Sequence, residues 1–189
     1  MTYLDVSLKG EDYRMAYMDV HPTGASNGKT VMLMHGSNFF GEYFYNTIEA
    51  LSEAGFRVVV PDRIGWGKSS KPLIPYSISR MAANAAKLLD HLGVERAAIV
   101  GHSMGGGGVL IAANKYPAEI QAAIPFTPWQ PAGDFSQVVA PTLVMAGSAD
   151  RVASVSDHAW PHYQSIPEST IKVFLEIDGG SHFIADTSR

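Results

Sequence analysis

Hydrophobic and polar residues along this chain follow two different periods. Within the first 20 residues, YLDVSL and YRMAYMDV alternate around KGED, which predicts two antiparallel strands joined by a turn. TVMLMH at residues 30–35 is a continuous apolar run, as is typical of a parallel strand buried on both faces. Five later segments predict further strands: FRVVVPD, AAIVGH, IQAAIPF, PTLVMAG and IKVFLEI.

Helical periodicity appears between these strand-like runs. In SRMAANAAKLLDHLG, Met81, Ala85, Leu88 and Leu92 share one helical face, and a glycine ends the segment. Alternating strands and helices predict an α/β fold with a mostly parallel sheet flanked by helices, in which ligands bind at the carboxyl ends of strands. We expect one such domain over residues 1–189. The other predicted helices are TIEALSEAG, residues 104–116 and residues 157–165.

Composition excludes several classes of function. The hydrophobic fraction of 46% in 189 residues is enough for a sizeable core. With a net charge of −4 there is no basic excess, so we expect no nucleic-acid partner. Cysteine is absent, which excludes disulfides and thiolate metal sites. The first residues lack a basic stretch followed by an apolar run, so we expect neither a signal peptide nor a membrane span.

One serine stands among glycines where a predicted strand meets a predicted helix. Gly101, Ser103 and Gly105 form the pattern G-x-S-x-G, which in this context predicts a nucleophile elbow. The flanking residues must be small because strand and helix backbones nearly touch. The Met104 N–H, at the helix start, would point to where an oxyanion forms. The alternative is a glycine-rich turn with an incidental serine.

A serine nucleophile needs a base, and the base needs a carboxylate to orient it. In this fold the acid and then the histidine follow later strands. Asp150 follows PTLVMAG and His182 follows IKVFLEI, so both fit this order after Ser103. The alternatives are a turn aspartate and a solvated loop histidine. Three other aspartates compete for the role of the acid and fit it less well: Asp157, Asp178 and Asp186.

The second oxyanion donor should come from the loop after TVMLMHG. The backbone N–H of Ser37 is our choice, and Asn38 or Phe39 would take its place in a wider turn. We expect His35, which ends the predicted strand, to be structural.

With these residues in place, the sequence resembles the α/β-hydrolase fold, in two of its branches. Through HGSNFFGEYF and PDRIGWGKSSKP, the first half is similar to capped hydrolases related to proline iminopeptidases and non-haem haloperoxidases. Asp62, Gly65, Gly67 and Ser69 belong to a D-x-x-G-x-G-x-S pattern that we interpret as a scaffold loop. The second half resembles bacterial cutinases and hydrolases of poly(ethylene terephthalate), through GHSMGGGG, AAIPFTPW and FLEIDGGSHF.

The second resemblance implies the same triad of Ser103, Asp150 and His182. It also implies an open substrate shelf. Ser37 stands where the polyester hydrolases carry a tyrosine wall, so Phe39, Phe40 or Tyr43 would have to replace that wall. Met104 matches an oxyanion donor that touches substrate, and His158 matches a histidine that restricts the shelf tryptophan. The implied substrate contacts are Trp129, Val152, Phe39, His102 and His158.

The chain also departs from these families. The C-terminal disulfide is absent, and seven residues follow His182, too few for the final helix that covers the sheet. We therefore expect a truncated chain or a mosaic of two branches, with exposed apolar sheet surface that favours a homodimer. The resemblance implies secretion.

A short connection predicts an open site. PFTPWQPAGDFSQVVAPT leaves no room for a helical cap, which favours large or surface-bound esters. We therefore expect a serine carboxylic-ester hydrolase of cutinase type that acts on an ester or polyester without cofactor or metal. Two alternatives keep the triad: an aminopeptidase, which would need Asp134 to hold the substrate amine, and a haloperoxidase-like perhydrolase. A catalytically disabled binding protein is the third alternative.

Overall fold

The eight strands are β1 (Thr2–Leu8), β2 (Glu11–Val20), β3 (Thr30–Met34), β4 (Arg57–Pro61), β5 (Ala97–His102), β6 (Ile120–Phe126), β7 (Thr142–Gly147) and β8 (Lys172–Ile177). They form one sheet in the order β1-β2-β4-β3-β5-β6-β7-β8. The computed structural model describes residues 1–8, 10–130 and 133–184. The first two strands pair antiparallel, β2 pairs antiparallel with β4, and the pairs from β4 to β8 are parallel. All eight predicted strands are confirmed.

Helices cover both faces of the sheet. Alternate residues of β3 point to opposite faces, so Met32 and Met34 pack with helices α2 and α3, whereas Val31 and Leu33 pack with α1. This double coverage explains why all five β3 residues are buried and why the four after Thr30 are apolar. The helices are α1 (Tyr45–Glu53), α2 (Ile78–His91), α3 (Met104–Lys115) and α4 (Trp160–Ser165).

The last helix begins later than its pattern predicts. Residues Val155–Ala159 form a π-helical turn, and α4 starts only at Trp160, with a proline in its first turn. Proline is favoured there because its missing N–H has no partner in a helix start. A 3₁₀ turn, Gly41–Phe44, directly precedes α1, as the π-helical turn precedes α4.

The segment between β6 and β7 carries no helix in its described residues, 127–130 and 133–141. The space above the carboxyl ends of the strands is therefore not covered from this connection, as the short gap predicts. No helix within the described ranges is long and apolar enough to cross a membrane.

The far edge of the sheet exposes apolar side chains. β8 has only β7 as a neighbour, and no helix follows it up to residue 184, where the described residues end. Val173, Leu175 and Ile177 alternate along this strand and are exposed, as is Ile171 directly before it. Such an exposed apolar surface is what the sequence predicts, because too few residues follow His182 for a helix over this part of the sheet.

Candidate active site

Ser103 lies on a strained turn between β5 and α3. Its φ is 57° and its ψ is −122°, a backbone conformation that L-residues rarely adopt. The turn is possible because its neighbours lack side chains. A Cβ on Gly105 would lie 2.0 Å from the Met34 carbonyl oxygen, and one on Gly101 would lie 2.5 Å from the Gly105 carbonyl oxygen. The geometry is that of the predicted nucleophile elbow.

Three residues from three strand ends form a continuous hydrogen-bonded chain. His182 Nε2 lies 2.9 Å from Ser103 Oγ, and His182 Nδ1 lies 2.7 Å from Asp150 Oδ2. All three residues are buried. The structure therefore brings together the serine, histidine and aspartate that the order along the chain singles out.

The Asp150 carboxylate is held by more than the histidine. Its Oδ1 accepts hydrogen bonds from the backbone N–H groups of Val152 and Ala153, both at 2.8 Å. Both carboxylate oxygens are thus occupied, and one of them is aimed at the imidazole. Asp157 instead accepts a hydrogen bond from the nearby Ser154 hydroxyl, and Asp178 accepts one from the Ser148 hydroxyl in the loop after β7. Asp186, the third competing acid, lies outside the described residues.

The loop that carries His182 is anchored through its own carbonyl oxygen. His102 Nε2 lies 2.7 Å from this oxygen, and the Thr127 hydroxyl donates to it at 3.3 Å. Thr127 has a φ of 40°, so a second strained residue stands beside the first. Sequence reasoning missed Thr127, although its position directly after β6 places it at the functional edge of the sheet.

The placement of His102 corrects the substrate contact that the family resemblance implied. Its side chain is fully buried, stacks on Tyr43 and lies against the His182 ring. No atom of it reaches the surface, so it lies behind the site rather than in its lining. Its contact with the His182 carbonyl oxygen makes it a residue that positions the histidine loop.

Both candidate oxyanion donors come from strand ends next to Ser103. Met104 is the first residue of α3, where backbone N–H groups have no partner within the helix. Ser37 is half-buried and lies in the turn after Gly36, where an added Cβ would lie 3.1 Å from Ser103 Cβ. The turn after β3 therefore passes directly beside the serine.

Trp129 is fixed over the elbow by its main chain. Its N–H donates to the Ser103 carbonyl oxygen at 2.9 Å. Gly107 permits this approach, since a Cβ there would lie 2.4 Å from the Trp129 carbonyl oxygen. The Trp129 ring is half-buried and its centroid is 6.0 Å from that of His158. The predicted pairing of these two rings is present.

Two imidazoles hold the residue after the tryptophan. His158 Nδ1 and His162 Nε2 lie 3.2 and 3.1 Å from the Gln130 carbonyl oxygen. Burial lowers the pKa of His162 to about 4, so this ring is neutral at pH 7. The role of His162 could not be predicted from the sequence, because the contact joins residues 32 positions apart.

Aromatic and aliphatic side chains flank the triad. The Phe39 ring lies 4.5 Å from that of Tyr43 and 6.3 Å from that of Phe183, centroid to centroid. Phe39 thus stands beside the histidine loop, where an aromatic wall would replace the missing tyrosine. Val152 is exposed next to the acid.

The D-x-x-G-x-G-x-S loop has the structural role that its pattern predicts. The Asp62 carboxylate accepts N–H groups of Gly41 and Lys68 at 2.6 and 2.7 Å, and the Ser69 hydroxyl donates to the Asp62 carbonyl oxygen. The fully buried His35 accepts the Arg63 N–H at 3.0 Å, and burial lowers its pKa to about 4. These bonds join the loop after β4 to the end of β3.

No group of three or more His, Cys, Asp or Glu side chains within residues 1–8, 10–130 and 133–184 is arranged to hold a metal ion.

Comparison with known proteins extends this picture. Residues 39–189 match the family model described as PET hydrolase-like. The chain is 36% identical over 142 residues to cutinase 1 of Thermobifida cellulosilytica, a match that covers 71% of this chain and 53% of the relative. It spans about half the length of the curated relatives that it matches first.

Solved structures agree on the fold. A probable hydrolytic enzyme from Pseudomonas aeruginosa superposes with a TM-score of 0.79 at 25% identity, covering 96% of this chain and 88% of that one. Bromoperoxidase from Bacillus anthracis superposes with a TM-score of 0.78 at 20% identity, covering 96% and 93%. Both are similar in fold, as the resemblance to α/β-hydrolases predicts.

Proposed function

The chain belongs to the PET hydrolase-like family, and we propose that it is a serine carboxylic-ester hydrolase of the cutinase and polyester-hydrolase type. The observation that carries the proposal is the hydrogen-bonded chain from Ser103 through His182 to Asp150. The family match and the cutinase relative support the ester as substrate class. Since all eight strands lie in one sheet, we also infer that residues 1–189 act as one domain.

In the first half of the reaction, Ser103 Oγ attacks the ester carbonyl while His182 Nε2 takes its proton. Asp150 holds His182 in the tautomer that carries its proton on Nδ1, and stabilises the imidazolium that forms. The N–H groups of Met104 and Ser37 donate to the oxyanion, a contribution of about 3 kcal/mol for each donor.

The first half ends when the first tetrahedral intermediate collapses: the protonated His182 gives its proton to the leaving alcohol, and an acyl-enzyme remains on Ser103. A water molecule then loses a proton to His182 and attacks the acyl carbonyl. Collapse of the second tetrahedral intermediate returns the proton to Ser103 and releases the acid. Ser103 is thus the nucleophile that forms the covalent intermediate, and His182 transfers the proton in every step.

The surroundings of the triad support an ester presented from outside. The connection after β6 carries no helix in its described residues, and Trp129 and Val152 flank the serine and the acid respectively. An aminopeptidase finds less support, because the exposed Asp134 carboxylate accepts the N–H of Ser136 in a local turn. The bromoperoxidase superposition supports the fold alone.

Release of nitrophenolate from p-nitrophenyl butyrate tests the proposal. We expect turnover by the wild-type protein and none above background by Ser103→Ala. Ser26→Ala, which changes an exposed serine far from the site, serves as the matched control and should keep the wild-type rate. Equal release from Ser103→Ala and the wild type would overturn the proposal.

A further inference from the structure

His35 is a fully buried histidine between the loop after β4 and the turn that carries the Ser37 N–H. It directly follows β3, and both of its ring nitrogens lie within hydrogen-bond distance of backbone groups. Nδ1 lies 2.8 Å from the Gly36 carbonyl oxygen, and Nε2 lies 3.0 Å from the Arg63 backbone nitrogen. The proposed catalytic cycle does not use this imidazole.

The two backbone partners of His35 fix a single tautomer of its ring. A backbone N–H can only donate, so Nε2, which faces the Arg63 N–H, is the unprotonated nitrogen. A carbonyl oxygen can only accept, so the ring proton lies on Nδ1 and is donated to Gly36. Burial lowers the pKa of His35 to about 4, so the ring keeps this neutral form at pH 7.

The Gly36 carbonyl belongs to the same peptide unit as the Ser37 N–H. No peptide bond within the described residues is cis. In a trans peptide the C=O and N–H bonds lie in one plane and point in opposite directions. The hydrogen bond from His35 Nδ1 therefore fixes the rotation of this plane and, with it, the direction of the Ser37 N–H.

The Ser37 N–H is free to bind a ligand atom. Ser37 lies in a turn outside the strands and helices. Its N–H has no hydrogen-bond partner among the residues that the structure describes. An oxygen atom that binds beside Ser103 therefore meets no competing acceptor from these residues at this N–H.

The backbone at Gly36 needs a restraint of this kind. A Cβ at this position would lie 3.1 Å from Ser103 Cβ and 3.2 Å from His102 Nδ1, so the close approach favours glycine. Glycine has more conformational freedom than any other residue, so the chain alone holds the following peptide weakly. An oxyanion donor is most effective when it is oriented before the reaction. The bond from His35 supplies that orientation.

We propose that His35 is a positioning residue for the oxyanion site: its Nδ1–H holds the Gly36–Ser37 peptide so that the Ser37 N–H donates to the oxyanion at Ser103. Arg63 takes part through its backbone N–H, which keeps the proton of His35 on Nδ1. The inference rests on the proposed esterase function. It gives a specific role to a residue for which the sequence predicts only a structural one.

Two substitutions separate the two hydrogen bonds of His35. The amide nitrogen of His35→Asn lies close to the position of Nδ1, so it still donates to the Gly36 carbonyl oxygen but leaves the Arg63 N–H without an acceptor. The longer side chain of His35→Gln reaches the position of Nε2, so its oxygen accepts the Arg63 N–H but Gly36 loses its donor. Each variant loses one buried hydrogen bond, so urea denaturation should show similar losses of stability.

Hydrolysis of p-nitrophenyl butyrate distinguishes positioning from a merely structural role. Loss of an interaction made only in the transition state lowers kcat and leaves KM unchanged. Removing a whole oxyanion donor costs about 10²- to 10³-fold in kcat, so we expect His35→Gln to lower kcat by about tenfold or more at unchanged KM. His35→Asn should keep kcat within a few-fold of the wild type. Equal losses of kcat in the two variants would overturn the proposal.

Nuclear magnetic resonance tests the restraint without turnover and without a variant. Long-range ¹⁵N–¹H correlations of the wild-type His35 ring should show a neutral ring protonated on Nδ1. A ring protonated on Nε2 would overturn the proposal even in an active esterase. The Ser37 amide signal should move in His35→Gln and stay near its wild-type position in His35→Asn. These signals in a protein that hydrolyses no ester would overturn the proposed function and leave the restraint by His35 standing.

Discussion

Asp150 and Arg63 are two buried charges at the carboxyl edge of one sheet, and they differ in how their polar atoms are satisfied. Each is 6% exposed, one after β7 and the other after β4. The Asp150 oxygens have three partners, whereas two Arg63 nitrogens have none within the described residues. A satisfied buried charge fixes a neighbour in place, whereas an unsatisfied one lowers the stability of the fold.

The largest expected effect follows from removing the charge that orients His182. Asp150→Asn should lower kcat for p-nitrophenyl butyrate by about 10³- to 10⁴-fold, because the amide no longer stabilises the productive tautomer and the imidazolium. Steady-state kinetics measure the loss. Asp178→Asn is the matched control in the histidine loop and should stay within a few-fold of wild type. Full turnover by Asp150→Asn would show that the acid lies elsewhere.

Replacing Asp150 and replacing Arg63 should change the free energy of unfolding in opposite directions. Asp150→Ala should lower the free energy of unfolding by about 3 kcal/mol, because it leaves the Val152 and Ala153 N–H groups without their acceptor. Arg63→Met should instead raise it by about 1–3 kcal/mol, because it removes an unpaired buried charge at similar volume. Urea denaturation of both variants measures the two changes. Destabilisation by Arg63→Met would show that its contact with Trp66 is structural.

Two buried imidazoles should make the protein less stable as the pH falls. The pKa values of His35 and His162 are lowered to about 4 by burial, so unfolded chains bind protons that the native state does not between about pH 4 and 6.5. Stability should be at its plateau above about pH 6.5 and fall on acidification, by about 1 kcal/mol per pH unit for each histidine.

Urea denaturation between pH 4.5 and 7.5 measures this slope. His162→Gln should reduce the slope of stability against pH to the part that His35 contributes. His91→Gln, which changes an exposed histidine, should leave the slope as in the wild type. A stability that rises on acidification would contradict the burial of these rings as neutral groups.

The smallest effect concerns the exposed edge of the sheet. We propose that the apolar face of β8 lets two copies associate, since Val173 and Leu175 are 53% and 44% exposed on it. Sedimentation velocity should show weak, concentration-dependent self-association. Substituting Val173→Thr and Leu175→Thr together keeps strand propensity and should reduce the association by less than tenfold in affinity. A protein that is monomeric at all concentrations would contradict this proposal.

Local sequence patterns predicted the strands of the sheet and the order of the triad residues. The strands, the glycine-flanked Ser103 and the order of Asp150 and His182 follow from periodicity and from the placement of residues after strands. These features depend on neighbours along the chain or on the general geometry of a parallel sheet. The late start of α4 escaped prediction because the π-helical turn before it has no distinct periodicity in so short a segment.

Contacts between segments far apart in the chain could not be predicted from the sequence. Thr127 and His102 meet the His182 carbonyl oxygen across 55 and 80 positions respectively, and neither contact leaves a pattern along the chain. Arg63 lies in the loop interpreted as scaffold, and its burial with two unpartnered nitrogens is visible only in the structure of the described residues. The side chains that support or extend the site therefore became visible only in three dimensions.

Covalent labelling tests most directly whether Ser103 is the nucleophile. Incubation with diethyl p-nitrophenyl phosphate, followed by intact-mass measurement and peptide mapping, reports which hydroxyl is activated. One diethylphosphoryl group per chain on Ser103, absent from Ser103→Ala and strongly slowed in Asp150→Asn, is the expected result. An unlabelled wild-type protein, or a label on another serine that persists in Ser103→Ala, would contradict the proposed active site.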